Sequence, residues 1–476
     1  MHPHNHYRLY VLALLWTAAL LRFVDLQILA VLLEPIKAEF RLTDTELSLL
    51  GGLAFALFYG LLGIPVAWLA ERYSRRTIVA VAVTLWSLMT MLCGQAGSFA
   101  LLFLARIGVG VGEAGAYPPS TSLLADYFPP ALRGRACGVL ASATPIGVLV
   151  GFLAGGFFNA TLGWRLTMQA IGLPGVVLGV LILLTLKEPA RGATEDKPLT
   201  TSSRSFWQGS RLLWQRRGYG SLVAAACLFT LGASGSGIWM ASFFMRHHGL
   251  GSTETGIWMA AVYGAGGLLG SLAGGWLAQR WDRDHSGRSY ARVCHWSLCL
   301  TLPLLPLVLL NPSPAVALGA LAGMAVLMHM NVGPVLTLLQ LLGGQQQRAL
   351  AHAYSLLVSN IVALPLGPLL VGMMSDRWSP VLGTQALGLA ILAVLVVSWT
   401  LSAWLFARTA RQVAIPASGR QAGVAKTTVA STTAMPGCTA RAGKNKCGER
   451  ENCGGRTLPD PGGQDQGGST AGRRVR

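Results

Sequence analysis

Twelve long apolar runs constrain the fold of this chain more than any other feature. Each has roughly the 20 residues that an α-helix needs to cross a bilayer, and backbone groups inside lipid must be satisfied within the segment. The sequence therefore predicts an all-α, multi-pass membrane protein with 12 transmembrane helices. The runs lie at about 9–33, 47–70, 77–97, 101–125, 136–160, 167–186, 220–245, 254–279, 290–310, 314–341, 349–374 and 380–406.

Composition excludes most other classes of protein. Only 12% of the 476 residues are charged, against about 25% in soluble proteins, and the runs leave no room for a soluble catalytic domain, so we expect no enzyme. The net charge of +18 lies mostly in loops and in the C-terminal tail, which predicts no nucleic-acid partner. The eight cysteines fit neither a disulfide framework nor a zinc site, and the P-loop pattern is absent. We therefore expect no metal and no cofactor.

The runs fall into two groups of six. We predict an N-terminal six-helix bundle (1–186), a cytoplasmic connector (187–218), a C-terminal six-helix bundle (219–407) and a disordered basic cytoplasmic tail (408–476). An internal repeat supports the division, because the letters LAER at 69–72 return as LAQR at 277–280. Two such halves are typical of a transporter that alternates access to a site between them.

The distribution of basic residues predicts the orientation. With the N-terminus inside, the inner loops up to residue 407 hold 18 Lys and Arg and the outer loops hold five. Cytoplasmic loops carry such an excess, so both termini are expected in the cytoplasm, with the chain in the cell (inner) membrane. The first run is too long for a signal peptide and remains as the first helix.

Three motifs resemble those of the major facilitator superfamily. The loop 67–76 (AWLAERYSRR) is similar to the signature between the second and third helices, and Arg106 with Gly110 is similar to that of the fourth helix. In the fifth run, glycines at 138, 147, 151, 155 and 156 follow a spacing associated with exporters, although Phe152 replaces its proline. The resemblance covers about 400 residues and implies a 12-helix fold in two pseudo-symmetric bundles.

More narrowly, several stretches resemble the bacterial spinster-like branch: 25–29, 33–38, 105–115, 126–130 and 367–372. This resemblance implies a secondary active transporter that acts as a monomer. Its implied partners are protons, membrane lipids and a lysolipid or other amphiphilic solute. Members usually carry Arg directly after the aspartate of the first helix, whereas this chain has Leu26. The usual charge pair of the branch is therefore altered here.

Four charged residues stand out inside the predicted membrane helices, away from the ends of the runs: Arg22 and Asp25 in the first, Arg106 and Glu113 in the fourth. A charge at the bilayer centre costs on the order of 2.5–3.5 kcal/mol, so such residues are paired or functional. We predict that they form the proton-coupling ion-pair site. Arg22 lies three residues before Asp25 and four before Leu26, so it either neutralises Asp25 locally or places its guanidinium where the missing arginine would reach.

Two further sets of residues are predicted from position. A cytoplasmic gate, whose basic members also fix topology, comprises Glu71, Arg72, Arg75, Arg76 and Asp126. Polar or aromatic residues in the middle of later runs are candidates for the substrate cavity, with helix packing as the alternative role: His329, Asn331, Trp239, Tyr263, Tyr354 and Asn360.

Other functions remain open at this level. An importer or exporter of small organic anions or drugs would share the fold, and an anion site would favour at least two arginines in the cavity. A membrane sensor without transport would be expected to lose the intramembrane carboxylates, which are present. Substrate and direction are left open by the sequence, although the glycine spacing favours export.

Overall fold

The structure, a computed structural model, describes residues 3–190, 206–283 and 286–413. Each of the 12 apolar runs forms a helix, and the described residues contain no β-strand. The predictions for the middle of the connector (191–205) and for the tail beyond residue 413 concern residues outside the described ones. The basic side chains of the tail are among them.

The N-terminal half contains helices α1 to α6. Four of them are interrupted or run together: α2 includes one wider π-helical turn, α4 breaks after Ala114, and α5 and α6 form one helix that Gly163 divides. Their bounds are α1 Pro3–Phe40; α2 Asp44–Ser48, Leu49–Leu53 and Ala54–Arg72; α3 Arg75–Cys93; α4 Phe99–Ala114 and Tyr117–Tyr127; α5 130–162 and α6 164–185, within Pro130–Thr185.

The C-terminal half contains α7 to α12, preceded by a short surface helix, Phe206–Gln215. Gly344 separates α10 from α11 as Gly163 separates α5 from α6. The bounds are α7 Tyr219–His248; α8 Ser252–Met259, Ala260–Ala265 and Gly266–Trp281; α9 Arg288–Thr301 and Leu304–Leu309; α10 Pro314–His329 and 332–343; α11 345–358, Ser359–Ala363 and Leu364–Leu382; α12 Gln385–Gln412.

Ten segments among the described residues are long and apolar enough to cross a membrane. One of them, Pro130–Thr185, has 56 residues and would be about 84 Å long as a straight helix, far more than a bilayer needs. Gly163 turns the chain there with φ 76° and ψ 164°, a conformation that side chains other than hydrogen disfavour. This segment therefore makes two crossings, and the broken helix α9 completes the set of 12.

Glycines set how closely α5 approaches α1. A Cβ on Gly147 would lie 2.6 Å from Cβ of Phe23, one on Gly151 would lie 2.9 Å from Cβ of Gln27, and Gly155 faces Ile28 in the same way. Lipid tails are as apolar as leucine, so helices in membranes associate through such close packing rather than through the hydrophobic effect. The glycine spacing that resembles an exporter pattern thus provides the contact surface between α5 and α1.

A second glycine stripe joins α8 to α10 in the C-terminal half. Gly266, Gly270 and Gly274 are spaced by four residues on one face of α8. A Cβ on Gly270 would lie 2.2 Å from the carbonyl oxygen of Val326, and one on Gly274 would lie 2.1 Å from that of Met330. The two backbones therefore touch along this stripe.

The halves meet at the end of the bundle that holds the loops 41–43 and 249–251, which we call the loop end. Here α5 crosses α8, and a Cβ on Gly256 would lie 2.5 Å from the carbonyl oxygen of Phe152. Nearby, α2 lies against α11, with Ser48 Oγ donating to the carbonyl oxygen of Pro368 at 2.9 Å. Gly372 of α11 approaches the carbonyl oxygen of Asp44, where a Cβ would lie at 2.5 Å. We call the opposite end, where α1 begins and α12 ends, the terminal end.

The glycine stripe of α8 predicts the effect of a single methyl group. We expect Gly274→Ala to lower stability by roughly 1–3 kcal/mol, because the new Cβ must push the Met330 backbone away. The matched control is Gly275→Ala, where a Cβ meets no atom within 4 Å and helix propensity improves by up to about 1 kcal/mol. Unfolding midpoints in detergent measure both, and equal midpoints for the two variants would contradict the close contact.

Candidate functional site

Two ion pairs cross between α1 and α4 in the interior of the N-terminal half. Arg22 Nε donates to Glu113 Oε2 at 2.8 Å, and Arg106 donates to Asp25 Oδ2 at 3.3 Å. Thr90 of α3 adds a hydrogen bond to Asp25 Oδ1 at 2.8 Å. Asp25, Arg106 and Glu113 are all at most 2% exposed. The four charges predicted from the sequence therefore form one buried cluster.

The pairing within this cluster differs from local neutralisation of Asp25 by Arg22. The structure pairs each arginine with the acid on the other helix. The two helices run in opposite directions, so the earlier residue of α1, Arg22, lies level with the later residue of α4, Glu113. The Arg22 guanidinium also lies over the rings of Tyr59 and Phe23, at 5.0 and 5.2 Å from their centres.

Two buried polar atoms of the cluster have no hydrogen-bond partner among the described residues: Oε1 of Glu113 and Nε of Arg106. Buried polar atoms in native proteins are nearly always paired, so unpaired ones call for an explanation. Oε1 of Glu113 is a free acceptor on a carboxylate whose other oxygen is held by Arg22. Protonation of this oxygen would neutralise the carboxylate and turn the ion pair into a hydrogen bond from Arg22 to a neutral carboxyl group.

A cavity of about 700 Å³ lies between the halves, with walls from α1, α5, α7, α8 and α10. Most of its lining is apolar, and Phe152 stacks on Tyr263 at 5.9 Å. No Lys, Arg, Asp or Glu is among its lining residues within the described part of the chain. Gln27, two residues after Asp25 in α1, lines the cavity, so α1 contributes to both the cavity and the ion-pair cluster. Its polar lining residues are Gln27, Ser142, Thr144, Tyr263, Ser271 and His329.

Two of the six residues predicted for the cavity line it, His329 and Tyr263. Nδ1 of His329 donates to the carbonyl oxygen of Ala325 at 2.8 Å, which orients the ring. The hydroxyl of Tyr263 is buried and unpartnered among the described residues. Both side chains therefore have polar atoms that a bound solute could use.

The other four predicted cavity residues lie in helix contacts instead. Trp239 is fully buried and donates to the carbonyl oxygen of Pro368 at 3.1 Å, and Asn331 donates to Ser297 at 3.1 Å. The hydroxyl of Tyr354 donates to Oγ of Ser210, which lies in the short surface helix. Asn360 faces Gly60, whose Cβ would lie 3.5 Å from that of Asn360. An isolated polar residue in an apolar run does not reveal which face of the helix it occupies.

The predicted gate residues gather at the terminal end, within the N-terminal half. Arg75 bonds both Asp126 of α4 and Glu188 after α6. The backbone N–H of Arg76 donates to Glu188 Oε2 at 2.8 Å, whereas Arg72 lies over the ring of Trp68. The side chain of Glu71 lies outside the described residues.

Sequence reasoning missed Glu188, because it placed this residue in the cytoplasmic connector. Partial burial raises the pKa of Glu188, but hydrogen bonds from the Arg76 backbone and from the side chains of Arg75 and Ser74 outweigh this and hold the pKa below its usual value of 4.5. The carboxylate is therefore ionised at neutral pH and joins α3 to the end of α6.

A second group that the sequence did not indicate is the interhalf network at the loop end: Glu34, Lys37, Asp44, Arg246 and Ser375. Arg246 of α7 bonds Glu34 of α1 at 2.8 Å and Asp44 of α2 at 2.8 Å. Lys37 and Ser375 of α11 also bond Asp44. The charge of Glu34, directly after the first apolar run, was the available signal.

The start of α2 is held by the other half as well. Asp376 of α11 accepts bonds from the backbone N–H groups of Asp44 and Thr45, at 2.9 and 2.7 Å. A carboxylate satisfies the unpaired N–H groups of a helix start and opposes its positive dipole end. The loop end is thus closed by charges and by direct capping across the halves.

Comparisons with known proteins agree with this architecture. A sequence model described as Major Facilitator Superfamily matches residues 15–364. An "MFS-type efflux pump" of Mycolicibacterium smegmatis is 33% identical over 391 residues, covering 80% of this chain and 87% of that protein. "Protein spinster homolog 1" of Homo sapiens is 27% identical over 403 residues, covering 78% and 74%.

A solved structure is similar over most of its length. The crystal structure of a bacterial homologue of the human lysosomal transporter Spinster, in an inward-facing and unoccupied conformation, is 26% identical with a TM-score of 0.77. The match covers 87% of this chain and 98% of the chain in that crystal structure. The same protein in an inward-facing and occupied conformation gives a TM-score of 0.75.

The buried pair of Arg106 and Asp25 generates a prediction about stability. We expect Arg106→Leu to cost roughly 3–5 kcal/mol, because it leaves the Asp25 carboxylate buried without its counter-ion. Adding Asp25→Leu should recover most of the loss, since two apolar residues replace a buried pair at little cost. Arg280→Leu, an exposed arginine at the terminal end, is the control and should change stability by less than about 0.5 kcal/mol.

Unfolding of the purified chain by added sodium dodecyl sulfate in mixed micelles measures all three. A double variant as unstable as Arg106→Leu would show that the loss comes from packing rather than from a stranded charge.

Proposed function

Because this chain belongs to the Major Facilitator Superfamily, whose members transport solutes across membranes, we propose that it moves a lysolipid or another single-chain amphiphile by alternating access, linked to proton movement. The observation that carries the proposal is the arrangement of the site. Helix α1 contributes Gln27 to an uncharged cavity and Arg22 and Asp25 to a buried cluster of two carboxylates and two arginines.

Proton linkage is supported by the chemistry of Glu113. Its carboxylate is completely buried, one oxygen is held by Arg22, and the other has no partner among the described residues. A carboxylate shielded from water and close to an arginine has protonation states that depend on small changes in its surroundings. Movement of the two halves against each other during the transport cycle would change the access of water to Glu113, which would release or take up a proton while α1 and α4 stay in register.

The amphiphile is supported by the lining and by the faces of the cavity. A small organic anion would need cationic side chains in the cavity, and no Arg or Lys is among its described lining residues. Leu268 and Leu272 of α8 line the cavity and are 52% and 65% exposed. Such exposed apolar side chains suit the acyl chain of a solute whose polar head lies toward Gln27, Tyr263 and His329.

The conformation fits one stage of such a cycle. If the termini are cytoplasmic, as the distribution of basic residues predicts, the closed loop end faces outward. The structure would then be inward-facing, like the similar Spinster-related crystal structure. The interhalf network is the proposed outer gate, and the cluster of Arg75, Asp126 and Glu188 keeps α3, α4 and α6 together as one moving unit.

The decisive experiment is transport in proteoliposomes. We expect a fluorescent lysophospholipid to move faster under an imposed proton gradient. In Asp25→Asn and in Glu113→Gln the gradient-dependent rate should fall at least about tenfold, because an amide cannot exchange the proton that the carboxylate exchanges. Glu254→Gln, a carboxylate at the start of α8, is the matched control and should keep the rate.

Each failure has a separate meaning. Transport without gradient dependence in the unaltered chain would refute proton linkage and retain the amphiphile. Absence of lysophospholipid movement would refute the amphiphile, and a screen of small anions and drugs should follow. The 33% identity to an efflux pump makes extrusion of apolar drugs the second function to test.

We propose that Arg22 replaces the arginine that members of the spinster-like branch usually carry at the position of Leu26. Its Nε reaches Glu113 from one helical turn earlier on nearly the same face of α1. We expect Arg22→Leu to reduce gradient-dependent transport at least tenfold and Arg22→Leu with Leu26→Arg to restore a substantial part. Leu26→Arg alone is the control for tolerance of the new charge. Unaltered transport by Arg22→Leu would refute the replacement, whatever the substrate.

A further inference from the structure

A basic groove lies between the start of α9 and the end of α12, at the terminal end and away from the central cavity. It encloses about 440 Å³ and shares no lining residue with that cavity. Its walls contain three arginines, a histidine, a tryptophan and two small alanines, which leave space between the helices: Arg288, Arg292, His295, Trp296, Ala407, Ala410 and Arg411.

Among the residues that the structure describes, no acidic side chain neutralises the charges in this groove. No acidic residue is among the lining residues, and Arg292 and Arg411 form no ion pair with the described acids. Arg288 donates to the carbonyl oxygen of Val413 at 3.2 Å, which fixes its guanidinium at the edge of the groove. Asp282 of the preceding loop accepts bonds from Gly287 and Ser289 instead.

The surroundings of the groove place it at the membrane surface. Trp296 and Trp404 are 54% and 57% exposed on α9 and α12, and exposed tryptophans on membrane helices favour the level of the lipid headgroups. One turn farther along α9, Leu300 is 57% exposed, and Val397 of α12 is 60% exposed. A charged groove therefore continues into an exposed apolar surface on the same two helices.

From this combination we propose that the groove binds the phosphate headgroup of an anionic phospholipid. Guanidinium groups form paired hydrogen bonds to phosphate oxygens, and basic pockets between helices at the headgroup level attract anionic lipids. The exposed apolar residues beyond Trp296 would contact the acyl chains. A soluble phosphate would have no use for this apolar continuation, so the lipid is the occupant that fits the whole surface.

Lipid binding to the full-length chain tests the proposal without reference to transport. Delipidated protein in detergent is titrated with phosphatidylglycerol or phosphatidylcholine, and retained lipid is counted by native mass spectrometry. We expect at least one phosphatidylglycerol to bind about tenfold more tightly than phosphatidylcholine. Arg292→Gln with Arg411→Gln should remove this preference, whereas Arg280→Gln with Arg283→Gln, an equal loss of charge at the same end, should keep it.

Other outcomes would overturn the site. Equal retention of the two lipids by the unaltered chain, or an unchanged preference in the Arg292 and Arg411 variant, would refute an anionic headgroup site in this groove. Displacement of phosphatidylglycerol by inorganic phosphate at equal concentration would show a site for a soluble anion instead. Unfolding midpoints measured without lipid check the folding of the variants, and a version with lysine at both positions should retain part of the preference.

Discussion

The two ion pairs between α1 and α4 are the interaction on which the rest of the N-terminal half depends. Each pair alone would strand a charge inside the membrane if its helix moved away, so α1 and α4 are held in one register. Around them, α5 lies along α1 through its glycines and α3 contributes Thr90 to Asp25. The cavity then forms on the other side of α1, where Gln27 marks its wall.

Charged groups inside a half differ from those between the halves. Three of the four charges of the ion-pair cluster, Asp25, Arg106 and Glu113, are at most 2% exposed, and the side chain of Arg22 is 13% exposed. In the interhalf network the side chains of Arg246 and Glu34 are 18% and 22% exposed, and that of Asp44 is 4% exposed. Partly exposed charges can exchange their partners for water at low cost, and fully buried ones cannot. In the proposed transport cycle, the ion-pair cluster would stay within the N-terminal half while the interhalf network opens through its partly exposed members, as two rigid halves moving against each other require.

The sequence predicted the fold and the charged cluster, and it was less informative about faces and contacts. Twelve apolar runs and four intramembrane charges are strong signals because lipid tolerates few exceptions to the patterns behind them. The partner of Arg22 depends on the direction in which α4 passes α1. This direction belongs to the tertiary structure and cannot be read from the two helix sequences. The helix contacts of Trp239 and Asn331 could not be predicted, because a single polar or aromatic residue carries no information about the neighbouring helix. Glu188 and Asp376 were missed because both act on backbone N–H groups or arginines far away in sequence.

The bond from Arg22 to Glu113 also affects how related chains should be compared. A sequence alignment compares residues position by position. At position 26 it finds an uncharged leucine in this chain where members of the spinster-like branch usually have arginine. The structure supplies a guanidinium to the fourth helix from a different column, one turn along the same face. Chains of this kind should be grouped by which side chain reaches the α4 carboxylate in space, because a count of identical columns would separate proteins that contain the same set of charges.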